Sequence, residues 1–169
     1  TAPGERRALL SGDIIPFLVN NHKIMSLDGI VTHLFLKPAQ ERGLPMLPVA
    51  QVFAINGEGL QDDASFGRRK RQVLLIENGI LDDFKLVPGD VRENIVVSGM
   101  RLAGTEPGVR FNIGEANLEV TMDCAPCDFL DSVRPGLKME MHGRRGTLCR
   151  VVDTGLIRVG DKITLNRQM

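Results

Sequence analysis

Hydrophobic and polar positions alternate in short runs along most of the chain. GIVTHLFL (29–36) alternates loosely and stops at Lys37-Pro38, where a residue without an N–H ends strand pairing. PMLPVAQVFA (45–54) predicts a second strand with prolines near its start. NGEGLQDDASFG (56–67) has the Gly, Asn and Asp content of a loop. RQVLLIE (71–77) predicts a buried strand, NGILDDFKL a helical turn that VPGD (87–90) ends, and VRENIVVSG (91–99) a further strand. RFNIGEANLEVTM (110–122) predicts a hairpin turning at Gly114. Asp128 to Val133 starts a short helix, Arg134-Pro135-Gly136 interrupts it, and LKMEMHG (137–143) ends an element at Gly143. TLCRVVDTGLIRVGDKITL (147–165) predicts closing strands broken at Asp153-Thr154-Gly155 and Gly160-Asp161. About eight short strands and two or three short helices make a mostly β chain, a small barrel or curled sheet rather than a parallel α/β sheet.

The first residues stand apart. IIPFLV is a short apolar patch broken by Pro16 and preceded by Asp13, which is not the continuous apolar stretch of a signal peptide. The regular pattern begins near Asp28, so residues 1–27 are expected to form an extension and 28–169 the domain.

Composition narrows the function classes. The 169 residues are 43% hydrophobic and 25% charged, as in one soluble globular domain with an appendage. Twenty-one cations balance 21 anions, which argues against a general attraction to nucleic acid or to a membrane surface. No apolar run approaches the length of a bilayer span. With no Trp and no Tyr, base-stacking platforms are not expected. Three cysteines are an odd count that argues against a secreted disulfide framework. A reducing cytoplasm fits, and it leaves thiols available for metal or sulfur chemistry.

TMDCAPCDFLD (121–131) holds Cys124 and Cys127. A zinc site would need a second tight pair, and His142 with Cys149 has an unusual spacing for one. A thioredoxin-like pair would need a βαβ setting. Small buried side chains are the plain reading, and it suits Cys149 best. Cys127 differs: the strand ends, Ala125-Pro126 turns the chain, and Cys127 falls near a helix start, where dipole and free amides favour a thiolate. Asp123 and Asp128 oppose that ionisation.

Six stretches in order carry a resemblance: GIVTHLFLKP with GLPM, VFAINGEGLQDD, RQVLLIE, PGDVRENIVVSG, IGEANLEVTMDCAPC and RGTLCRVVDTGLIRVGDKI. Together, over about residues 29–165, the chain resembles a MOSC domain, the C-terminal module of molybdenum-cofactor sulfurases that also occurs free-standing. The resemblance implies a mostly β, barrel-like fold similar to the β-barrel domain of pyruvate kinase. It puts Cys127 at the family's characteristic cysteine. There the residue carries sulfur as a persulfide received from a pyridoxal-phosphate desulfurase, or binds molybdenum in amidoxime-reducing relatives, which also have a cysteine three residues earlier, as Cys124 is here. Cys124 could resolve a persulfide at Cys127 or merely pack. Arg92 and Asn94 match an Arg-x-Asn that grips the pterin, and Lys37 lies near a cofactor-phosphate lysine. Ala125 and Pro126 replace a Ser-Arg that lines the site, which removes a cation. In the loop GEGLQDD, Asp62 replaces a Gly, Asp63 keeps an acid, and Ser65 stands in place of a His.

The implied cofactor is a molybdenum-pterin, with pyridoxal phosphate entering only through a partner. The implied partner is a cysteine desulfurase or a molybdenum-cofactor enzyme. Whether the chain is itself an enzyme is left open. Two alternatives stand beside this reading. One is a molybdenum-dependent reductase of N-oxygenated compounds with a separate electron donor. The other is a non-catalytic zinc-stabilised binding module using Cys124, Cys127, His142 and Cys149. Among further candidates, period two puts Arg92 and Asn94 on one face of an expected strand, where they can bind a phosphate or pterin edge. The run Arg68-Arg69-Lys70-Arg71 reads as a solvated loop face, with Arg71 the expected exception.

Overall fold

The computed structural model describes residues 28–39 and 43–167. The expected extension, residues 1–27, lies outside the described residues.

Seven strands close into a barrel. They are β1 (Asp28–Leu36), β5 (Val73–Glu77), β6 (Ile95–Ser98), β7 (Arg110–Ile113), β8 (Ala116–Asp123), β9 (Thr147–Asp153) and β11 (Lys162–Asn166). They pair in the order β11-β7-β8-β9-β5-β6-β1, and β1 returns to β11 to complete the ring. Closure leaves no open edge between these strands. The short strand β2 (Leu47–Val49) adds to β1 outside the ring, and β3 (Gln51–Ile55), β4 (Gly59–Leu60) and β10 (Gly155–Arg158) form a second sheet. The single strand expected over 45–54 is therefore two, divided at Ala50, where the chain leaves one sheet for the other.

Alternation decides what fills the barrel. Val73 and Leu75 of β5, Ile95 and Val97 of β6, and Cys149 and Val151 of β9 join one apolar cluster with Leu118, Phe111 and Ile163. The second sheet covers part of the same core with Val52, Ala54, Leu60 and Ile157. Each such large side chain, fully buried, stabilises by about 1.5–3 kcal/mol. The strand β5 is buried on both faces. Its Ile76 turns outward against α1 (Asn78–Asp83), α2 (Phe129–Val133) and α3 (Leu137–Glu140), where Ile80, Leu130 and Leu137 pack with it. Its Leu74 turns outward against Leu148 and Cys124. That double burial explains why VLLIE is an unbroken apolar run.

The strands β5 and β6 are parallel, with Leu75 opposite Ile95, so residues 78–94 cross over between them. The crossover brings the residues before β6 to the same end as those before β5. The antiparallel pairing of β1 with β6 brings Lys37, just past the end of β1, to that end as well.

Candidate functional site

An open cleft of about 180 Å³ lies on the outer face of β5, floored by Leu74 and Leu148. Lys37, Ser65, Arg68, Arg71, Gln72, Arg92, Asn94, Cys124, Ala125, Cys127, Phe129 and Arg145 wall it. Of the residues singled out from the sequence, Cys127, Cys124, Arg92, Asn94, Lys37 and Arg71 all line it, and Pro126 lies between two that do. A second depression, beside Glu77 and Thr147, has about 10 Å³, room for a water molecule at most.

Arg92 and Asn94 reach the cleft by a route other than the expected strand. The strand β6 begins only at Ile95, and Arg92 adopts φ 63°, a left-handed conformation that strains a side-chain-bearing residue by about 1 kcal/mol. The buried Glu93 carboxylate holds this turn by accepting the Gly89 and Val91 N–H groups. Burial raises the Glu93 pKa, and those two N–H groups and the Arg145 charge oppose the rise. A turn, and not period-two alternation, therefore sets the two side chains.

Asn94 is buried and its amide is committed. Nδ2 donates to the Phe35 carbonyl at 3.1 Å and to Asp63 Oδ1 at 2.9 Å, and Oδ1 accepts the Leu74 N–H at 3.0 Å. Asp63 also accepts the Lys37 N–H at 2.6 Å and the Ser65 N–H at 2.9 Å. These two residues brace the cleft. Both Asn94 amide hydrogens are used, so it has no donor left for a ligand. Arg92 Nη1 donates to the Leu44 carbonyl at 2.8 Å, and its guanidinium lies 5.6 Å from the Phe129 ring centre, a cation–π contact.

The cations are Lys37, Arg68, Arg71, Arg92 and Arg145, and among the described residues no carboxylate lines the cleft. Burial lowers the Lys37 pKa most; Asp63 opposes this, and Arg92, Arg68 and Arg145 push it lower. Its Nζ lies 3.4 Å from Ser65 Oγ, a long contact that leaves the ammonium available. The buried Gln72 fixes the basic loop by donating to the Gly57 and Arg68 carbonyls and accepting the Val151 N–H. Arg69 and Lys70 are exposed and outside the lining, so the solvated reading fits them while Arg68 turns in beside Arg71.

The cysteines divide into three settings. Cys149 lies inside the barrel with no exposure, and burial pushes its thiol far above the ordinary range. Cys124 is 8% exposed and packs on Leu74 and Leu148 while facing the cleft. Cys127 is exposed. The expected helix-start effect is small here: α2 has five residues and follows an N-cap at Asp128, too short for a substantial dipole. Cys127 shares the cleft with the cationic side chains. Among the described residues no three His, Cys, Asp or Glu side chains are placed to share a metal ion. The zinc quartet fails physically because Cys149 points into the barrel, on the opposite face of β9 from Leu148 and the cleft.

Arg145 was not anticipated. It is 5% exposed, and its Nε and Nη1 are buried with no hydrogen-bond partner among the described residues. Its neighbour Arg144 pairs with Asp83 and lies 5.1 Å from the Phe84 ring centre. Nothing in RRG distinguishes the two arginines; the geometry does. Gly146, at φ 121°, has no room for a Cβ, which would meet the Leu75 carbonyl oxygen at 2.7 Å. Its own carbonyl accepts the Cys124 N–H at 2.9 Å. One bond thus ties the loop that carries the cysteines to the loop that carries Arg145.

This donor set fits an anionic molybdenum-pterin cofactor: unpartnered buried guanidinium donors, further cations beside them and a soft sulfur ligand at the rim. Solved structures of similar fold include the YuaD protein from Bacillus subtilis, 19% identical, with TM-score 0.71 over 84% of this chain and 97% of that one. YiiM from Geobacillus stearothermophilus is 18% identical, with TM-score 0.68 over 82% of this chain and 75% of that one. YiiM from Escherichia coli is 17% identical, with TM-score 0.62 over 83% and 71%. At such identities the likeness is one of fold. A comparison with curated proteins gives no match. A family model described as the MOSC domain matches residues 50–164, which include the second sheet, the crossover, the cysteine loop and most of the barrel, and the chain therefore belongs to the MOSC domain family.

Proposed function

We propose that the protein binds an anionic molybdenum-pterin cofactor in the cleft, with the Cys127 thiolate as its ligand to the metal. The observation that carries this reading is the convergence of an exposed thiol and five cationic side chains in one cleft that no carboxylate lines among the described residues. Thiolate is a soft metal ligand, and arginine forks suit phosphate oxygens. Arg92, Arg71, Lys37 and Arg145 would hold the charged groups, and Cys127 the metal. When bound, the cofactor supplies two-electron redox chemistry. The chain's own part is to neutralise charge, to keep the Cys127 sulfur reachable, and to brace the cleft through Asn94 and Asp63.

The exposure of Cys127 beside Cys124 favours a second reading, a sulfur carrier. The Cys127 thiolate would attack the terminal sulfur of a persulfide on a pyridoxal-phosphate-dependent cysteine desulfurase. The donor's S–S bond breaks, its cysteine leaves as thiolate, and a persulfide forms on Cys127 with no external oxidant. Cys124 could then displace hydrosulfide and close a disulfide with Cys127.

Both readings are tested by metal and sulfane-sulfur analysis of the wild type, Cys127→Ser and Cys124→Ser, made in a host that synthesises the cofactor. Near-stoichiometric molybdenum that disappears in Cys127→Ser supports cofactor binding. Sulfane sulfur gained from a desulfurase by the wild type alone supports the carrier. A Cys127→Ser variant indistinguishable from wild type in both contents overturns both readings.

A further inference from the structure

A second depression, of about 140 Å³, lies on the outer face of the second sheet and shares no lining residue with the cationic cleft. Period two in β3 sends Val52 and Ala54 into the core and turns Gln51 and Phe53 outward. On β10, Leu156 stands opposite Phe53 and lines the same depression. The Gln61 N–H continues the β3–β4 pairing by donating to the Phe53 carbonyl at 2.9 Å, and Gln61 and Asp62 join the lining together with Leu36 from the end of β1.

The lining has an apolar part and a polar part. Phe53, Leu36 and Leu156 make the first, and the Phe53 ring stays 48% exposed. Asp62, Gln51 and Gln61 make the second, and among the described residues no hydrogen bond or ion pair engages these three side chains. Asp62 adopts φ 67°, which glycine takes at no steric cost. The turn itself therefore does not call for a carboxylate. Among the described residues no lysine or arginine lines the depression. Arg158, opposite Gln51 on β10, is paired with Glu115 at 3.4 Å.

Charge and donor count select the class of ligand. A primary ammonium carries one positive charge and three N–H donors, which match one carboxylate and two amide oxygens. The exposed ring face attracts the same charge. An apolar cavity of about 150 Å³ admits benzene, so a body of about one ring fits against Phe53, Leu36 and Leu156. We infer that this depression binds a small primary organic ammonium with an apolar body of about one ring, and that Asp62 is its charged anchor. The inference stands apart from both readings of the cleft.

The test is an amide NMR titration of the full chain with benzylammonium at neutral pH. Saturable shifts should centre on Phe53, Gln61 and Asp62, with a Kd on the order of millimolar. Benzyl alcohol, which keeps the shape and loses the charge, should bind about tenfold more weakly. Benzyltrimethylammonium keeps the charge, loses the three donors, and should also bind more weakly than benzylammonium. Asp62→Asn should weaken benzylammonium binding by about tenfold. Asp62→Gly should do the same while relaxing the backbone, and Phe53→Leu should cost about threefold. Glu106→Gln deletes the same charge at an exposed position outside the depression and should leave affinity unchanged. Melting curves establish that each variant is folded. No saturable shift at these residues in wild type, benzyl alcohol binding as tightly as benzylammonium, wild-type affinity in both Asp62 variants, or shifts that centre on the cationic cleft would each overturn the inference.

Discussion

Cys149 and Cys124 lie on either side of one sheet layer. Cys149 points into the barrel among Val73, Val120 and Val151, while Cys124 points outward onto Leu148, the residue next to Cys149 in sequence. Three residues beyond Cys124, Cys127 stands in solvent at the rim of a cationic cleft. The barrel interior is apolar and closed. The cleft is open and braced by buried polar groups, with positive charge that no carboxylate of the lining offsets among the described residues. Residue type is the same in both regions, so burial and charge decide what a thiol can do. The barrel's packing holds the fold together; under the proposed function, the cleft's cations are what receive the ligand.

The largest contrast should appear in thiol chemistry. With a maleimide under native conditions, Cys127 should react first and Cys124 slowly, and Cys149 only when the barrel opens. An opening free energy of about 5 kcal/mol implies a rate ratio on the order of 10³ or more between Cys127 and Cys149. Mass spectrometry of time points reads it, and labelling of Cys149 at a comparable rate would break the contrast.

Next in size is the brace. Asn94→Ala strands the Leu74 N–H, deprives the Phe35 carbonyl of this donor and removes one of the two bonds to Asp63 Oδ1, which keeps the Lys37 N–H. It should cost about 2–4 kcal/mol in a denaturant titration, whereas Cys127→Ser should stay within about 0.5 kcal/mol. Equal costs would mean that Asn94 is not the strut described here. Smaller again is Cys149→Ser, which places a hydroxyl in the barrel interior and should cost about 1–3 kcal/mol.

The smallest effect concerns the barrel's outer surface. Burial pushes the Glu119 pKa up, but Arg110 and Arg150 outweigh it and hold the carboxyl below its ordinary range. A lowered folded-state pKa stabilises above the unfolded value of about 4.5 and loses that contribution as pH falls through the folded value. With both arginines about half exposed, Glu119→Gln should cost roughly 0.5–1 kcal/mol at neutral pH, and little in strong acid.

The barrel was legible because period-two patterns and turn residues are local. The hairpin at Gly114 and the closing strands follow directly from RFNIGEANLEVTM and TLCRVVDTGLIRVGDKI. The cleft was legible only in part. Cys127 was visible from the turn before it, and Arg92 and Asn94 from a motif. Their route into the cleft was misread, because alternation cannot reveal a left-handed Arg92. Arg145 gave no local signal at all. Its role depends on which partners are missing around it, and that depends on contacts between strands far apart in sequence. Gly146 marks the place only once Leu75 is known to pass beside it.

The most direct test of the account is the molybdenum X-ray absorption spectrum of cofactor-loaded wild type, Cys124→Ser and Cys127→Ser. The account predicts a protein sulfur ligand at the metal in the first two and its loss in the third. Identical spectra from wild type and Cys127→Ser would contradict it.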